Sequence, residues 1–421
     1  MKTQGAAAEW RTGWPYVAVT HIGTLGSIFL TFGIGQFMTP LSQAFGWSRA
    51  EISAPMFISS VCTILFATAL GGLVDRVGPR RILLTGVPLA CLAIASVGLT
   101  GPSIWGWYAA WSVYCVFALA LGPITYTVAV VRHFNVSRGL AMSIGYSASG
   151  VGGAMWPPLT FWLISELGWR GAFMAVGAGI ALVVIPVAFL LFRGPVTGPR
   201  EAAVDAPAAA PPLAGLTLRE ALSSTVFWRV GLVLMVTAAA ASSTSIHLPS
   251  MLTDKGVSPL QAAATAAVIG PALIIGRISC GWLLDVLSAR IVASGYFALA
   301  VVGCGLLIGY DGDQTRAVIA AVLIGLTMGA EGDLLAFLIS RYCGLRSFGA
   351  IYGVGLTVFS IGYGMGPTAS GALFDHLGNY DLGFTLLTGL LVVCVGVALT
   401  LGKYPDFSAN ATAEPEPQRT T

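Results

Sequence analysis

Twelve apolar stretches, each close to the length a helix needs to cross a bilayer, dominate this chain. A span requires about 20 predominantly apolar residues. The stretches lie at 15–38, 52–73, 82–100, 105–131, 139–164, 170–193, 228–252, 258–284, 290–309, 315–341, 347–373 and 382–402. Only 9% of the residues are charged, against about 25% in a soluble domain. The expected fold class is therefore an all-α membrane protein of twelve transmembrane helices. The longest polar connection, 194–226, carries Pro195, Pro199, Pro207, Pro211 and Pro212 around an alanine-rich middle. It reads as a flexible linker that separates two six-helix halves, 1–193 and 227–403. Residues 404–421 are polar, acidic and proline-containing, and are expected to be a disordered tail.

Charge asymmetry sets the expected orientation. With the amino terminus inside, Arg49, Arg170, Lys255 and Arg316 fall outside, and Arg277 falls within the membrane. The remaining Lys and Arg residues fall on the cytoplasmic side, as the positive-inside bias requires. Both termini, the linker and the tail are thus expected in the cytoplasm. The amino terminus is short and polar, and the first apolar run lacks a small-residue cleavage site, so no cleaved signal peptide is expected. There is no basic stripe to meet nucleic acid. Six of the seven cysteines lie inside apolar runs and Cys343 lies at a helix end. Their spacing suits packing better than disulfides or a metal.

Between the second and third runs the chain reads Gly71-x-x-x-Asp75-Arg76-x-Gly78-x-Arg80-Arg81. A charged, tightly turning loop between hydrophobic segments has few uses. Its glycines permit close helix approach and a left-handed turn. Part of it recurs 210 residues later as Gly281, Asp285 and Arg290. At the same offset Gly139 pairs with Gly349, Gly145 with Gly355, Gly152 with Gly362, Pro157 with Pro367 and Gly168 with Gly378. An even number of spans per repeat makes the repeat parallel, with a site between the halves near mid-membrane.

The loop pattern resembles the signature between the second and third helices of the major facilitator superfamily. That resemblance implies gating and packing roles for Asp75, Arg76, Arg80 and Asp285. Three further stretches resemble the monocarboxylate porters and the related oxalate/formate antiporters. They are Gly13-Trp14 followed by Gln36 to Glu51, then Arg132 to Gly145, and Gly276-Arg277 in the eighth span. The resemblance implies that Arg277 binds substrate. Where animal members carry an aspartate four residues before that arginine, this chain has Leu273. Where they carry a lysine late in the first span, it has Thr39 or a neighbour. The second basic residue of the oxalate exchangers is absent from 347–373.

Ionisable residues within a span are costly and hence functional candidates. Arg277 lies about 9 Å to the cytoplasmic side of its span's centre, deep for a snorkelling side chain. A guanidinium grips a carboxylate through two parallel hydrogen bonds, and one fixed cation suggests one carboxylate per substrate. Glu331 and Asp333 lie in the tenth span at similar depth, about 200° apart around the helix axis, so they cannot both face a cavity. Glu331 and Asp333 are both proton-coupling candidates, with Glu331 preferred as the more central; a static ion pair is the other reading of each, and for Asp333, with Arg341 as a partner, the stronger one. His21 and His247 lie in the first and seventh spans and can titrate or donate to a carboxylate. His21 is grouped with the proton-coupling residues and His247 with the substrate-binding ones. Tyr126, Phe359 and Tyr363 are expected to line the pocket.

The function expected is secondary transport of a small organic monocarboxylate anion with a proton, by alternating access across the inner membrane, by a monomer embedded in the lipid bilayer and using no cofactor. A proton-driven exporter of drugs or metabolites is the alternative. The first six spans hold no intramembrane Asp or Glu, which counts against the best-known exporter pattern. A transport-dead sensor would need a signalling domain larger than the linker or tail. No nucleophile–base constellation points to an enzyme.

Overall fold

Long apolar runs with few charges become helices because each backbone donor then finds its acceptor within the same segment. The computed structural model describes residues 2–122, 125–126, 130, 133–134, 137–192, 215–344, 346–402 and 404–405. Among these there is no β-strand, and Gly215 and Gly344 form one isolated bridge. The helices before the linker are α1 (Lys2–Ser27), α2 (Phe29–Gly33), α3 (Met38–Phe45), α4 (Arg49–Val77), α5 (Pro79–Val97), α6 (Ile104–Ala118), α7 (Arg138–Tyr146) and α8 (Ala148–Leu191). After it come α9 (Leu218–Ser223), α10 (Thr225–Asp254), α11 (Pro259–Ala267), α12 (Ile269–Val286), α13 (Ala289–Gly305), α14 (Gln314–Cys343), α15 (Phe348–Leu377) and α16 (Asp381–Leu399). Ten helical stretches among the described residues are long and apolar enough to cross a membrane.

Local chemistry sets the helix ends. Ser48 caps α4 by accepting from the Glu51 amide, and Glu51 reaches back to the Ser48 amide. This reciprocal box satisfies two otherwise orphaned donors. The signature stretch is less of a loop than its composition suggests. α4 runs on to Val77, Gly78 alone makes the turn at φ 88°, and Pro79 opens α5. Proline is suited to a first helical position because its ring presets φ and no N–H is needed there. Arg76 therefore sits in the last turn of α4, where a cation complements the helix dipole, and Arg80 and Arg81 sit in the first turn of α5. Gly168 breaks α8 at φ 68°, near the boundary expected between two spans.

Helices approach closely where one presents no side chain. A methyl group at Gly270 would strike the α8 backbone at Gly150 and Ala154; one at Gly362 or Gly366 would strike the α10 backbone at Met235 and Ala239. Without a hydrophobic force between helices in lipid, such small-residue contacts supply the packing. α4 lies against α15, α8 against α11 and α12, and α10 against α2, so helices from both sides of the linker interlock. Leu65, Leu92, Leu182, Ile278, Trp282 and Val393 are all more than half exposed on the outside of the bundle. That suits a lipid solvent and would be a liability in water. All seven cysteines are buried and free.

Candidate functional site

α4 and α15 touch at one end of the bundle and part toward the other. At the first end Gly371 packs on Ala50, and Gly364 on Ser60. Toward the other a cavity of about 410 Å³ opens between them, lined by Thr63, Ile64, Gly353, Thr357 and Ser360. A cavity of about 530 Å³, lined by Gly281, Asp333, Phe337, Ser340 and Phe348, lies between α12, α14 and α15.

A clamp of polar groups holds the touching end. Nη2 of Arg49 donates to both carboxylate oxygens of Asp254 at 2.7 and 2.6 Å. Its Nη1 donates to the Tyr380 hydroxyl at 2.6 Å, and its guanidinium lies 4.0 Å from the centre of the Phe374 ring. The Asp375 carboxylate accepts from the backbone amides of Arg49 and Ala50 at 2.8 and 3.0 Å. It thus caps the start of α4 from α15, where the helix dipole favours a negative charge. His247 extends the chain inward: its Nε2 donates to the Pro367 carbonyl at 2.8 Å, and its Nδ1 lies 3.0 Å from the Tyr380 hydroxyl, which donates to it. Both ring nitrogens are used within the clamp, at the bundle's end and away from Arg277.

Arg49 is 13% exposed, so these charge-assisted bonds are worth more than a surface pair. Removing them should shift the population toward an open end by roughly 10- to 100-fold, from about 1.5–3 kcal/mol per lost charged contact. Ser370, buried behind the clamp against Ser243, gives the readout. In an Arg49→Ala background, Ser370→Cys should react faster with an aqueous maleimide than it does with Arg49 present. Equal rates would show that the clamp does not hold this end.

Deeper in the bundle, Arg277 of α12 donates from Nη1 to the Tyr146 carbonyl at 3.3 Å, and its Nε is buried with no partner. A guanidinium has five N–H donors. Among the described residues Arg277 makes no salt bridge and this one hydrogen bond. The two carboxyls of α14 face different ways, as their spacing requires. Asp333 lines the 530 Å³ cavity and lies within the field of Arg277. Glu331 is 3% exposed, its Oε1 has no partner, and it lies near Tyr363. The expected partnerships are therefore rearranged: Arg277 acts on Asp333, and Arg341 instead stacks on Phe337 and Tyr404. Arg341 sits two turns further along α14, at its end, out of Asp333's neighbourhood.

Tyr363 donates to the Thr31 hydroxyl at 3.1 Å and stacks with Phe359. This contact joins α15 to α2 close to Glu331. Tyr126 is wholly buried against Gly23 of α1, with an unpartnered hydroxyl. His21 is partly exposed, and its Nδ1 donates to the Ile144 carbonyl at 3.0 Å. Arg76 is exposed, and the Arg80 guanidinium lies 5.9 Å from the Phe189 ring. The side chains of Asp75 and Asp285 lie outside the described residues. The clamp, Thr31 and the Tyr146 carbonyl were not anticipated from the sequence. Only the Ser48–Glu51 box left a local signal; Asp254, Asp375 and Tyr380 are unremarkable until the fold gathers them.

The chain matches the Major Facilitator Superfamily over residues 20–367. It is 27% identical to monocarboxylate transporter 13 of Rattus norvegicus, across 96% of this chain and 92% of that one. It is 28% identical to monocarboxylate transporter 11 of Homo sapiens, across 76% and 67%. The uncharacterized MFS-type transporter YcxA of Bacillus subtilis is 22% identical across 94% and 95%. A crystal structure of a bacterial homologue of the human lysosomal transporter Spinster, inward-facing and unoccupied, shares the fold. Its TM-score is 0.69 at 18% identity, covering 92% of this chain and 96% of that one. These relatives are membrane transporters and not enzymes. The match runs through the same helices that carry Arg277, Glu331 and Asp333, and this multi-pass membrane protein belongs to the Major Facilitator Superfamily.

Proposed function

We propose that this protein carries a small organic monocarboxylate together with a proton, by alternating access. The observation that carries the reading is the donor-rich Arg277: a half-buried guanidinium with an enclosed, unpartnered Nε, one bond to a carbonyl and a neighbouring carboxylate in its field. Such a group is ready to receive a second carboxylate through a bidentate pair. Asp333 and the substrate then compete for one cation. Protonation of Asp333 frees Arg277 for substrate, which links proton and substrate on the same carrier. Names among the relatives support the substrate class. The reading also takes the Gly168 break as the boundary between two spans and Ala289–Gly305 as a short span, which brings the ten long stretches to twelve, in two halves joined by the linker. In this arrangement Arg49 marks the external end, by the positive-inside bias, and the two larger cavities open to the cytoplasm.

Two measurements test it. Purified protein in liposomes should accumulate a radiolabelled aliphatic or aromatic monocarboxylate when a proton gradient is imposed, and lose that accumulation when the gradient is collapsed. Export of neutral or cationic compounds, with no carboxylate accumulation, would favour the exporter. Orientation is checked in cells. Because the native cysteines are buried, Ser103→Cys and Gly312→Cys should react with an impermeant external thiol reagent, and Ser223→Cys should not. The reverse pattern would overturn the topology.

A further inference from the structure

The cavity of about 530 Å³ between α12, α14 and α15 is larger than the grip on a carboxylate requires. Small-molecule sites occupy about 300–1,000 Å³, so there is room for a body behind the charged group. Asp333 is the one ionisable side chain that lines the cavity among the described residues. Gly281 lines it too, one helical turn beyond Arg277 on the same face of α12. Arg277, whose field reaches Asp333, thus adjoins one side of the space.

The rest of the wall is apolar and aromatic. Phe337 of α14 and Phe348 of α15 line it from two helices. Each ring is backed by a neighbour. The Arg341 guanidinium lies 5.3 Å from the centre of the Phe337 ring, and Tyr352 stacks with Phe348 at 5.6 Å and 19°. Rings held in this way are set in place before a ligand arrives, which lowers the cost of binding. Ser340 spends its proton on the Phe337 carbonyl at 2.7 Å, so the lining side chains hold no spare donor for a hydroxyl or keto group on the body. The aromatic wall continues along α15. Phe348, Tyr352, Phe359 and Tyr363 recur at helical spacing on one stripe, and all are only partly buried. The close contact of α15 with α10 is made by Gly362 and Gly366, which leaves this stripe partly open beside it.

Building on the carboxylate reading of Arg277, we propose that the carried monocarboxylate is an aryl acid. Its carboxylate pairs with Arg277, and its ring packs against Phe337 and Phe348. Aromatic rings attract one another edge-to-face or offset, beyond what their buried area contributes. A saturated body of the same size gains the area and not the ring contacts. A two- or three-carbon acid gains neither, and leaves the aromatic walls uncovered.

Phenylacetate, cyclohexylacetate and acetate carry the same carboxylate and separate charge, bulk and aromaticity. Isothermal titration against the full chain in detergent gives their affinities. Phenylacetate should bind roughly 10-fold or more tighter than acetate, from the area its ring buries. It should bind roughly 2- to 10-fold tighter than cyclohexylacetate, from the ring contacts. Phe337→Leu and Phe348→Leu keep apolar bulk and should each shrink that second preference; together they should erase it, while Phe348→Tyr should keep it. The preference is a ratio of two affinities in one protein, so a general loss of folding does not imitate it. Acetate or cyclohexylacetate binding as tightly as phenylacetate, or a preference that survives the double leucine variant, would overturn the aryl assignment and leave the carboxylate reading standing. If none of the three acids binds, or if phenylacetate binds Arg277→Ala as it binds the wild type, the carboxylate reading fails and the aryl assignment falls with it.

Discussion

Arg277→Ala should abolish binding of the transported monocarboxylate, and Arg277→Lys should weaken it strongly, with both variants still inserted in the membrane. The guanidinium lies deep in α12, uses one donor on the Tyr146 carbonyl and leaves Nε buried without a partner. Lysine keeps the charge and loses the planar fork; alanine loses both. Removing a charge-assisted bidentate contact costs about 2–5 kcal/mol, or roughly 30-fold to several-thousand-fold in affinity. An uncharged amide of the same substrate should bind poorly to the wild type for the complementary reason. Isothermal titration of acid and amide against wild type and Arg277→Lys gives four affinities. If all four agree, the carboxylate reading fails.

Asp333→Asn should uncouple transport from the proton. In the wild type, substrate affinity should fall as pH rises, because ionised Asp333 competes for Arg277. The variant should bind substrate with a flat pH profile, exchange it across the bilayer, and lose gradient-driven accumulation. Besides Arg277, the titratable groups around Asp333 are Cys280, Tyr296 and Tyr352, none of which supplies a second cation. Glu331→Gln is the matched control. Glu331 is buried on another side of α14, beside Tyr363, and makes no ion pair among the described residues. Its substitution should leave the pH profile in place. A flat profile in Glu331→Gln with a normal one in Asp333→Asn would return the coupling role to Glu331.

Apolar run length and charge scarcity determined on their own that this is a helical membrane protein, because a bilayer admits so few alternatives for a backbone. The same local chemistry made several details legible. Gly78 within the charged motif marks the turn after α4, and Arg277 stands out because a cation inside a span is rare. Spacing also established that Glu331 and Asp333 face apart, since two residues turn a helix by about 200°. It did not say which of them looks toward Arg277, because rotation of α14 about its axis is set by what packs on it. Gly325 and Gly329 admit the α12 backbone at Ile269 and Leu273, and that contact presents Asp333 to the arginine's field. The clamp was out of reach for the same reason. Arg49, Asp254, Asp375 and Tyr380 lie at the ends of separate helices, hundreds of residues apart in the extreme. Helix propensity and hydropathy act over a few turns, whereas the meeting of four helix ends depends on how whole helices cross, which the tertiary packing alone decides.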